Sequence, residues 1–168
     1  FSAQSPGLAE VNFVSAIMNT TSLTNLSGGS IYVENQPISA SLSVGNYLLQ
    51  TGSSLSLPLS ANGLAGMNCI SFQFNFSFDP AVINVTGINN SGSVSEGWEI
   101  SCRTSSGLIS VAGMGTTPIN ADGTLIFINI EVLSTATSFS PLQLQNVLFN
   151  TQPAVSILDG RLDVYNLW

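Results

Sequence analysis

The side chains of this chain that could carry out acid–base chemistry are carboxylates, and nine Asp and Glu residues are present. Hydrolysis of a glycosidic bond needs two facing carboxylates, one of them with a raised pKa. Glu96 and Glu99 form an acidic pair on either side of Gly97-Trp98, although two solvated loop charges are the simpler interpretation. The other seven are scattered, and three of them precede Pro or Gly, where Asp commonly forms turns: Glu10, Glu34, Asp79, Asp122, Glu131, Asp159 and Asp163.

Other catalytic groups are missing from the composition. The chain contains no His, and its two basic residues are both Arg. A His general base, a Schiff-base Lys and a His-ligated metal are therefore excluded, and the many Ser residues have no base to activate them. No run of acidic residues resembles a calcium-binding loop. The sequence predicts a protein that is not an enzyme, with no cofactor and no metal site.

The charge balance excludes nucleic acid as a partner. Only 7% of the 168 residues are charged and 44% are hydrophobic, whereas Ser, Thr and Asn fill 54 positions. With a net charge of −7 and only Arg103 and Arg161 positive, the chain cannot neutralise a phosphate backbone. The length is that of one ordinary domain with a substantial core.

The compartment is predicted to be extracellular. No apolar run reaches the roughly 18 residues of a membrane span, because the longest, residues 125–133, contains Asn129 and Glu131. A chain that starts at Phe1 suits a secreted protein after removal of a signal peptide. Five Asn-x-Ser/Thr sequons are candidate N-glycosylation sites, although a chain so rich in these residues also produces sequons by chance: Asn19, Asn25, Asn75, Asn84 and Asn89.

Two cysteines, Cys69 and Cys102, have no metal-site spacing around them. An even number of cysteines in a secreted chain favours one disulfide, with an intrachain bond as the default and a bond between chains left open. The alternative is two unpaired thiols.

The elements that must position these side chains are strands, because the hydrophobic pattern has a period of two almost everywhere. The clearest alternation places five apolar side chains on one strand face, which must meet a second layer: Ile70, Phe72, Phe74, Phe76 and Phe78. Turn signals such as Asn62-Gly63 and Ser106-Gly107 separate such runs. This spacing predicts an all-β antiparallel sandwich. One helical turn is expected after Asp79, with Asp79 as its N-cap and Pro80 in the first position.

Three motifs in order resemble the cohesin domain family. Residues 72–86 (FQFNFSFDPAVINVT) resemble its alternating strand that ends in aromatic-Asp-Pro and continues as a second strand. Residues 112–119 (AGMGTTPI) and 122–128 (DGTLIFI) resemble its Gly-rich strand end and Asp-Gly hairpin, and residues 159–164 (DGRLDV) resemble its last strand. The resemblance covers roughly residues 38–166.

This resemblance implies a nine-stranded jelly-roll sandwich over residues 38–168, non-catalytic and working by protein–protein contact. Cohesins hold a dockerin partner on the flat face of one sheet, and the calcium of that complex belongs to the dockerin. By motif alignment, Gln73, Asn75 and Ser77 point from the strand that contributes to this face.

An N-terminal arm, residues 1–37, lies outside the resemblance. Its segment 8–18 is apolar and β-prone, with Val11, Phe13 and Ile17 sharing one face. It could pack as an edge strand of its own sandwich or be donated to a neighbouring subunit, and the chain contains no Lys to guard its sheet edges. The sequence predicts a structural subunit that binds copies of itself, assembling into a filament or surface lattice by strand donation. A cohesin that binds a dockerin-bearing partner is the alternative, and a carbohydrate-binding module, for which Trp98 and Trp168 offer few aromatic contacts, is a weaker one.

Overall fold

The alternating residues form strands throughout, and the computed structural model has no helix among the residues that it describes. Those residues are 7–11, 17–18, 21–22, 29–33, 39–133 and 138–166, and for the first four ranges the description is of the backbone. Within them, no helix is long and apolar enough to cross a membrane.

The chain divides into two compact units, Phe1–Pro37 and Ile38–Trp168. The first contains four short strands, β1 (Gly7–Val11), β2 (Ile17–Met18), β3 (Thr21–Ser22) and β4 (Gly29–Val33). Strand β1 pairs antiparallel with β4, from Gly7 opposite Val33 to Val11 opposite Gly29, and β2 pairs with β3. The arm therefore contains a two-stranded β1–β4 ribbon.

The second unit is a sandwich of two sheets. Its strands are β5 (Ser41–Val44), β6 (Asn46–Gln50), β7 (Ser54–Asn62), β8 (Cys69–Ser77), β9 (Ile83–Asn89), β10 (Glu99–Ser105), β11 (Leu108–Ile119), β12 (Gly123–Val132), β13 (Ser138–Phe149), β14 (Gln152–Pro153), β15 (Ser156–Leu158) and β16 (Gly160–Tyr165). The front sheet has the order β10-β11-β8-β13-β16-β6, with β14 also paired to β13, and the back sheet has the order β15-β5-β7-β12-β9.

The sandwich has twelve strands rather than the nine that the resemblance implied, because two runs of chain are each divided between the two sheets and one two-residue strand is added. The first run bends at Gly45, so that β5 belongs to the back sheet and β6 to the front sheet. The last run bends in the same way between β15 and β16, and the two runs pair in parallel in both sheets. The two-residue strand β14 is an addition at the edge of β13.

The core lies between the two sheets and is formed by the alternating side chains. Phe72, Phe74, Phe76 and Phe78 are buried against the back sheet's Leu57, Leu59, Ile128 and Ile130 in one hydrophobic cluster. Burial of each large side chain contributes roughly 1.5–3 kcal/mol before ordering costs. The row of phenylalanines is therefore the main apolar contribution of β8.

The sequence pattern predicted that Ile70 lies on the same buried face as the phenylalanines, and this prediction is wrong. Ile70 is 50% exposed, and its neighbour Cys69 is fully buried instead. The cause is an irregularity at the start of β8, where the register to β11 shifts between Met114 and Ile119. The side-chain oxygen of Asn150 accepts hydrogen bonds from two successive amides, Ile70 N at 2.8 Å and Ser71 N at 3.3 Å. Successive amides of a regular strand point in opposite directions, so the backbone at Ile70 and Ser71 cannot be a regular strand. Before this irregularity the odd-numbered Cys69 is buried, and after it the even-numbered phenylalanines are.

The intrachain disulfide that was predicted as the default is also wrong, because both cysteines are free. Cys102 pairs with Val111, which pairs with Phe74, five residues along β8 from Cys69. Two strand spacings and five residues separate them by about 15–20 Å, whereas bonded cysteines have Cα atoms within about 7 Å. Burial raises the pKa of the Cys69 thiol, which keeps it protonated and unreactive.

The Asp-containing turns differ in their outcome. The turn after Asp79 is confirmed: the Asp79 carboxylate accepts from Ala81 N at 2.9 Å, and its carbonyl accepts from Val82 N and Ile83 N. Asp122-Gly123 does not form the expected hairpin, because β11 and β12 lie in opposite sheets. Instead, the Asp122 carboxylate accepts from Leu64 N at 2.8 Å and fixes the crossing between the sheets.

Candidate functional site

The outer surface of four adjacent front-sheet strands, β10, β11, β8 and β13, forms what we name the polar face. Because directly paired residues point to the same side of a sheet, the register assigns its members in rows. The central row is Arg103, Ser110, Asn75 and Gln145, and it is flanked by Ser101, Ala112, Gln73 and Leu148 on one side and by Ser105, Leu108, Ser77 and Gln143 on the other.

The structure places the three residues predicted for a partner face together on this surface. Gln73 is exposed and Asn75 and Ser77 are half-buried, each alternating with a buried phenylalanine of β8. The Ser77 hydroxyl lies 3.5 Å from the Gln143 side-chain oxygen, within hydrogen-bonding distance across β8 and β13. The face therefore presents amides and hydroxyls from a central strand that is paired on both sides.

Sequence reasoning missed the residues that the neighbouring strands contribute. Arg103 and Ser110 come from β10 and β11, while Gln143, Gln145 and Asn146 come from β13, about 70 residues from β8 along the chain. Asn146 has a left-handed φ of 53° at a register shift in β13. No local pattern identifies the neighbours of a strand, so only the alternation within β13 could have indicated which of its residues face outward.

A shallow depression of about 440 Å³ lies at the centre of the polar face, lined by Gln73, Asn75, Ser101, Arg103, Ser110 and Asn146 among others. Of the charged side chains in the described ranges, Glu99 and Arg103 are the two that this face carries. The surface is thus almost neutral, and hydrogen bonding rather than charge is its main chemistry.

At one end of the polar face the surface becomes apolar. A second depression of about 570 Å³ is lined by Ile70, Ser71, Gly97, Glu99, Met114, Gly115 and Thr116. Ile70 and Met114 are 50% and 62% exposed. Ile70 reaches this surface because of the irregularity at Asn150 described above.

Trp98 closes the sandwich behind this apolar end. It is 9% exposed, stacks on Phe72 with ring centroids 5.9 Å apart, and donates from its indole nitrogen to Thr117 O at 3.1 Å. A Cβ atom on Gly115 would lie 2.2 Å from that nitrogen, and one on Gly113 would lie 2.4 Å from the Phe72 ring. The glycines of the Gly-rich strand end make room for these rings, and Trp98 is not an exposed platform for a sugar.

The other predicted site residues lie elsewhere. Asn84 and Asn89 are exposed on β9, an edge strand of the back sheet. Val11 ends β1 and Ile17 begins β2, whereas Asn19, Asn25 and Phe13 fall outside the described residues. Glu96 and Glu99 are both exposed. In the described part of the chain, no three His, Cys, Asp or Glu side chains are grouped so that they could hold a metal ion.

Comparisons with known proteins agree on one family. The family model for the cohesin domain matches residues 40–164. No curated protein matches the chain.

The chain is similar to several solved structures. One is the non-cellulosomal cohesin from the hyperthermophilic archaeon Archaeoglobus fulgidus, with 18% identity, a TM-score of 0.64, and coverage of 75% of this chain and 91% of that chain. Two others belong to type I cohesin–dockerin complexes of Clostridium thermocellum. The Coh-OlpA–Doc918 complex matches with 18% identity, a TM-score of 0.66 and 76% and 99% coverage. The Coh-OlpC–Doc435 complex matches with 16% identity, a TM-score of 0.66 and 82% and 100% coverage. At these identities the likeness shows the fold.

Proposed function

The chain belongs to the cohesin domain family, a family of protein–protein interaction modules, and from that premise we propose that its polar face binds a protein partner outside the cell. The observation that carries the proposal is the four-stranded surface around Asn75, most of whose outward side chains are amides and hydroxyls. The solved complexes of similar cohesins with dockerins support a dockerin-like module as the partner. The chain acts as a non-catalytic module.

The chemistry of the face determines what kind of partner it fits. Gln73, Asn75 and Gln145 can each donate and accept hydrogen bonds, so the partner supplies neutral polar groups rather than a cluster of charge. Ile70 and Met114 add an apolar contact at one end. Binding through such groups depends weakly on ionic strength, because salt screens charges and leaves neutral hydrogen bonds intact.

Blocking the face with one bulky side chain is expected to abolish binding. Ala112 is exposed in the row beside the central one, between Ser101 and Gln73, so Ala112→Trp fills the space that a partner must approach. Ala121, which is also exposed but lies between β11 and β12, gives the matched control Ala121→Trp. We expect the first variant to lower affinity by at least about tenfold, roughly 1.4 kcal/mol, and the second to leave it unchanged.

The measurement uses the immobilised full chain and both variants to capture secreted proteins of the source organism, followed by titration calorimetry with the captured protein. A partner held by the unmodified chain and Ala121→Trp but lost by Ala112→Trp supports the proposal. If no protein is retained, or if the two tryptophan variants retain it equally, the polar face is not the binding surface.

Glycosylation would compete with this function at one position. Asn75 lies in a sequon at the centre of the face, and a glycan on it would cover the surface. Sugars on Asn84 or Asn89 would lie at the edge of the back sheet and leave the face free. Modification at these positions stays a prediction.

Assembly of the chain with copies of itself through its arm is a second candidate function. Two observations favour it. A two-stranded ribbon such as β1–β4 is marginally stable by itself, and among the described strands β15 is the last of the back sheet, with exposed apolar side chains in and beside it. Val155 and Leu158 are 62% and 61% exposed. Residues 8–18 of one subunit would lie against a neighbour, with Val11, Phe13 and Ile17 facing its core, and repeated donation would propagate a fibre.

Truncation tests this second candidate. Strand donation predicts that the full chain polymerises at high concentration and that a chain without residues 1–20 does not, because the donated strand is removed. Light scattering and electron microscopy of both chains provide the measurement. Polymers that survive the truncation, or a full chain that never forms them, would exclude strand donation.

A further inference from the structure

Strand β10 is an edge strand with little of the usual protection. It pairs with β11 at seven consecutive positions without a register shift, from Glu99 opposite Met114 to Ser105 opposite Leu108. Within the described ranges its other edge has no partner strand. Soluble proteins guard such edges with charged side chains, especially Lys, with Pro or with a bulge. Strand β10, which reads EISCRTS, has no Lys, Pro or bulge, and its two charges, Glu99 and Arg103, are of opposite sign.

The same strand projects beyond the core. Cys102 and Thr104 lie opposite the buried Val111 and Ile109 and so point to the inner side of the sheet, yet both are exposed. Of the inward side chains of β10, Ile100 packs against the core cluster. The strand therefore offers a free edge together with inner-side positions that its own sandwich does not cover.

The charges of β10 are complementary to those of an inverted copy of the same strand. Glu99 and Arg103 are exposed on the outer side and stand four residues apart, about 13 Å along the strand. Among the described residues, the ion pair present joins Arg161 to Asp163 and involves neither of them. In an antiparallel pairing centred on Ser101, each Glu99 stands opposite the other copy's Arg103, so that one two-fold contact forms two cross-strand ion pairs.

We propose that two copies of this chain pair through their β10 edges in that register. Besides the two ion pairs, Ile100 of each copy stands opposite Cys102 of the other and covers the sulfur that the monomer leaves exposed. Sliding one copy by two residues would centre the contact on Cys102 and place Glu99 opposite Ser105, which loses both ion pairs. The positions of Glu99 and Arg103 therefore favour a second copy of the chain as the partner of β10, paired in the register that is centred on Ser101.

Pairing in this way makes one continuous sheet from the two front sheets. Because directly opposed residues of paired strands point to the same side, both polar faces lie on one side of the dimer. A partner with two binding modules could then engage both faces, with the gain in avidity that linked sites give.

Charge reversal in the full chain tests the proposal by sedimentation velocity, over concentrations from about 10 μM to about 1 mM, a range suited to a small interface. We expect a monomer–dimer equilibrium, and we expect Arg103→Glu and Glu99→Arg each to raise its dissociation constant by at least about tenfold, because each creates two like-charge pairs. The double variant, Glu99→Arg with Arg103→Glu, restores both ion pairs in exchanged positions and should return the constant to within about threefold of the original.

A matched control fixes the register. Ser105→Glu adds the same charge to the same strand, and in the proposed pairing it lies beyond the contact, so the dissociation constant stays unchanged. Circular dichroism confirms that each variant is folded. A chain that is monomeric at the highest concentration overturns the proposal, as does a dimer that is indifferent to Arg103→Glu, a double variant that fails to recover, or a Ser105→Glu variant that weakens the dimer as much as Arg103→Glu.

Discussion

Replacement of Gly160 by Ala is expected to lower the free energy of unfolding by about 3 kcal/mol or more, the upper range for overpacking a tight site. Gly160 begins β16 where the last run of chain passes from one sheet to the other, and it lies against the bend of the first run at Gly45. A Cβ atom on Gly160 would lie 2.1 Å from the carbonyl oxygen of Gly45 and 2.9 Å from that of Val44. Both are backbone atoms, so the crossing itself would have to open.

Gly87→Ala is the matched control for this variant. Gly87 also lies in a strand, β9, but a Cβ atom there would meet nothing within 4 Å, so alanine should leave stability unchanged or raise it by up to about 1 kcal/mol by restricting the unfolded chain. Urea unfolding followed by tryptophan fluorescence measures both. Equal stability of the two variants would show that the backbone crossing is not tightly packed.

The second large effect is expected at Asn150, where Asn150→Ala should destabilise the sandwich by about 3–5 kcal/mol. The side chain accepts from Ile70 N and Ser71 N and donates to the carbonyl oxygens of Met67 and Asn68 at 3.4 and 3.2 Å. Net hydrogen bonds contribute about 1 kcal/mol each, and Asn150 also has a left-handed φ of 48°, which costs Ala about 1 kcal/mol.

Asn150→Gly separates these two causes, because glycine keeps the left-handed backbone without strain and loses only the side-chain bonds. We expect it to be less destabilising than Asn150→Ala by about 1 kcal/mol. Hydrogen exchange provides a local readout: the amides of Ile70 and Ser71 should exchange faster in both variants. Unchanged exchange at these two amides would contradict the anchoring role of Asn150.

Local pattern predicted much of this fold, because period-two alternation and turn chemistry act over a few residues. The phenylalanines of β8 and the turn at Asp79 could be predicted in this way. The exposure of Ile70 could not, because its cause is a side chain 80 residues away along the chain. The predicted pairing of the two cysteines was wrong for a related reason. An even count suggests a pair, but only the order of the strands shows that Cys102 lies on β10, two strands away from Cys69 on β8.

The candidate site was predicted in the same uneven way. Gln73, Asn75 and Ser77 followed from the alternation of a single strand, which fixes which side chains share a face. Arg103 and Gln145 required the order of strands in the sheet, which is determined by packing between distant segments. The close contact between Gly160 and the backbone of Gly45 could not be predicted either. An Asp-Gly pair indicates a turn whether or not another backbone lies against it.

The parallel pairing of the first and last runs of the sandwich determines how the domain would respond to force. Strand β5 lies parallel to β15 in one sheet, and β6 lies parallel to β16 in the other. Together they form eight directly opposed residue pairs. A force that pulls residues 39 and 166 apart would act along these strands in opposite directions. It would load all of their hydrogen bonds in shear at the same time, whereas the bonds of a hairpin pulled at its ends break one after another. Because the contact continues across the bend at Gly45, both layers share the tensile load.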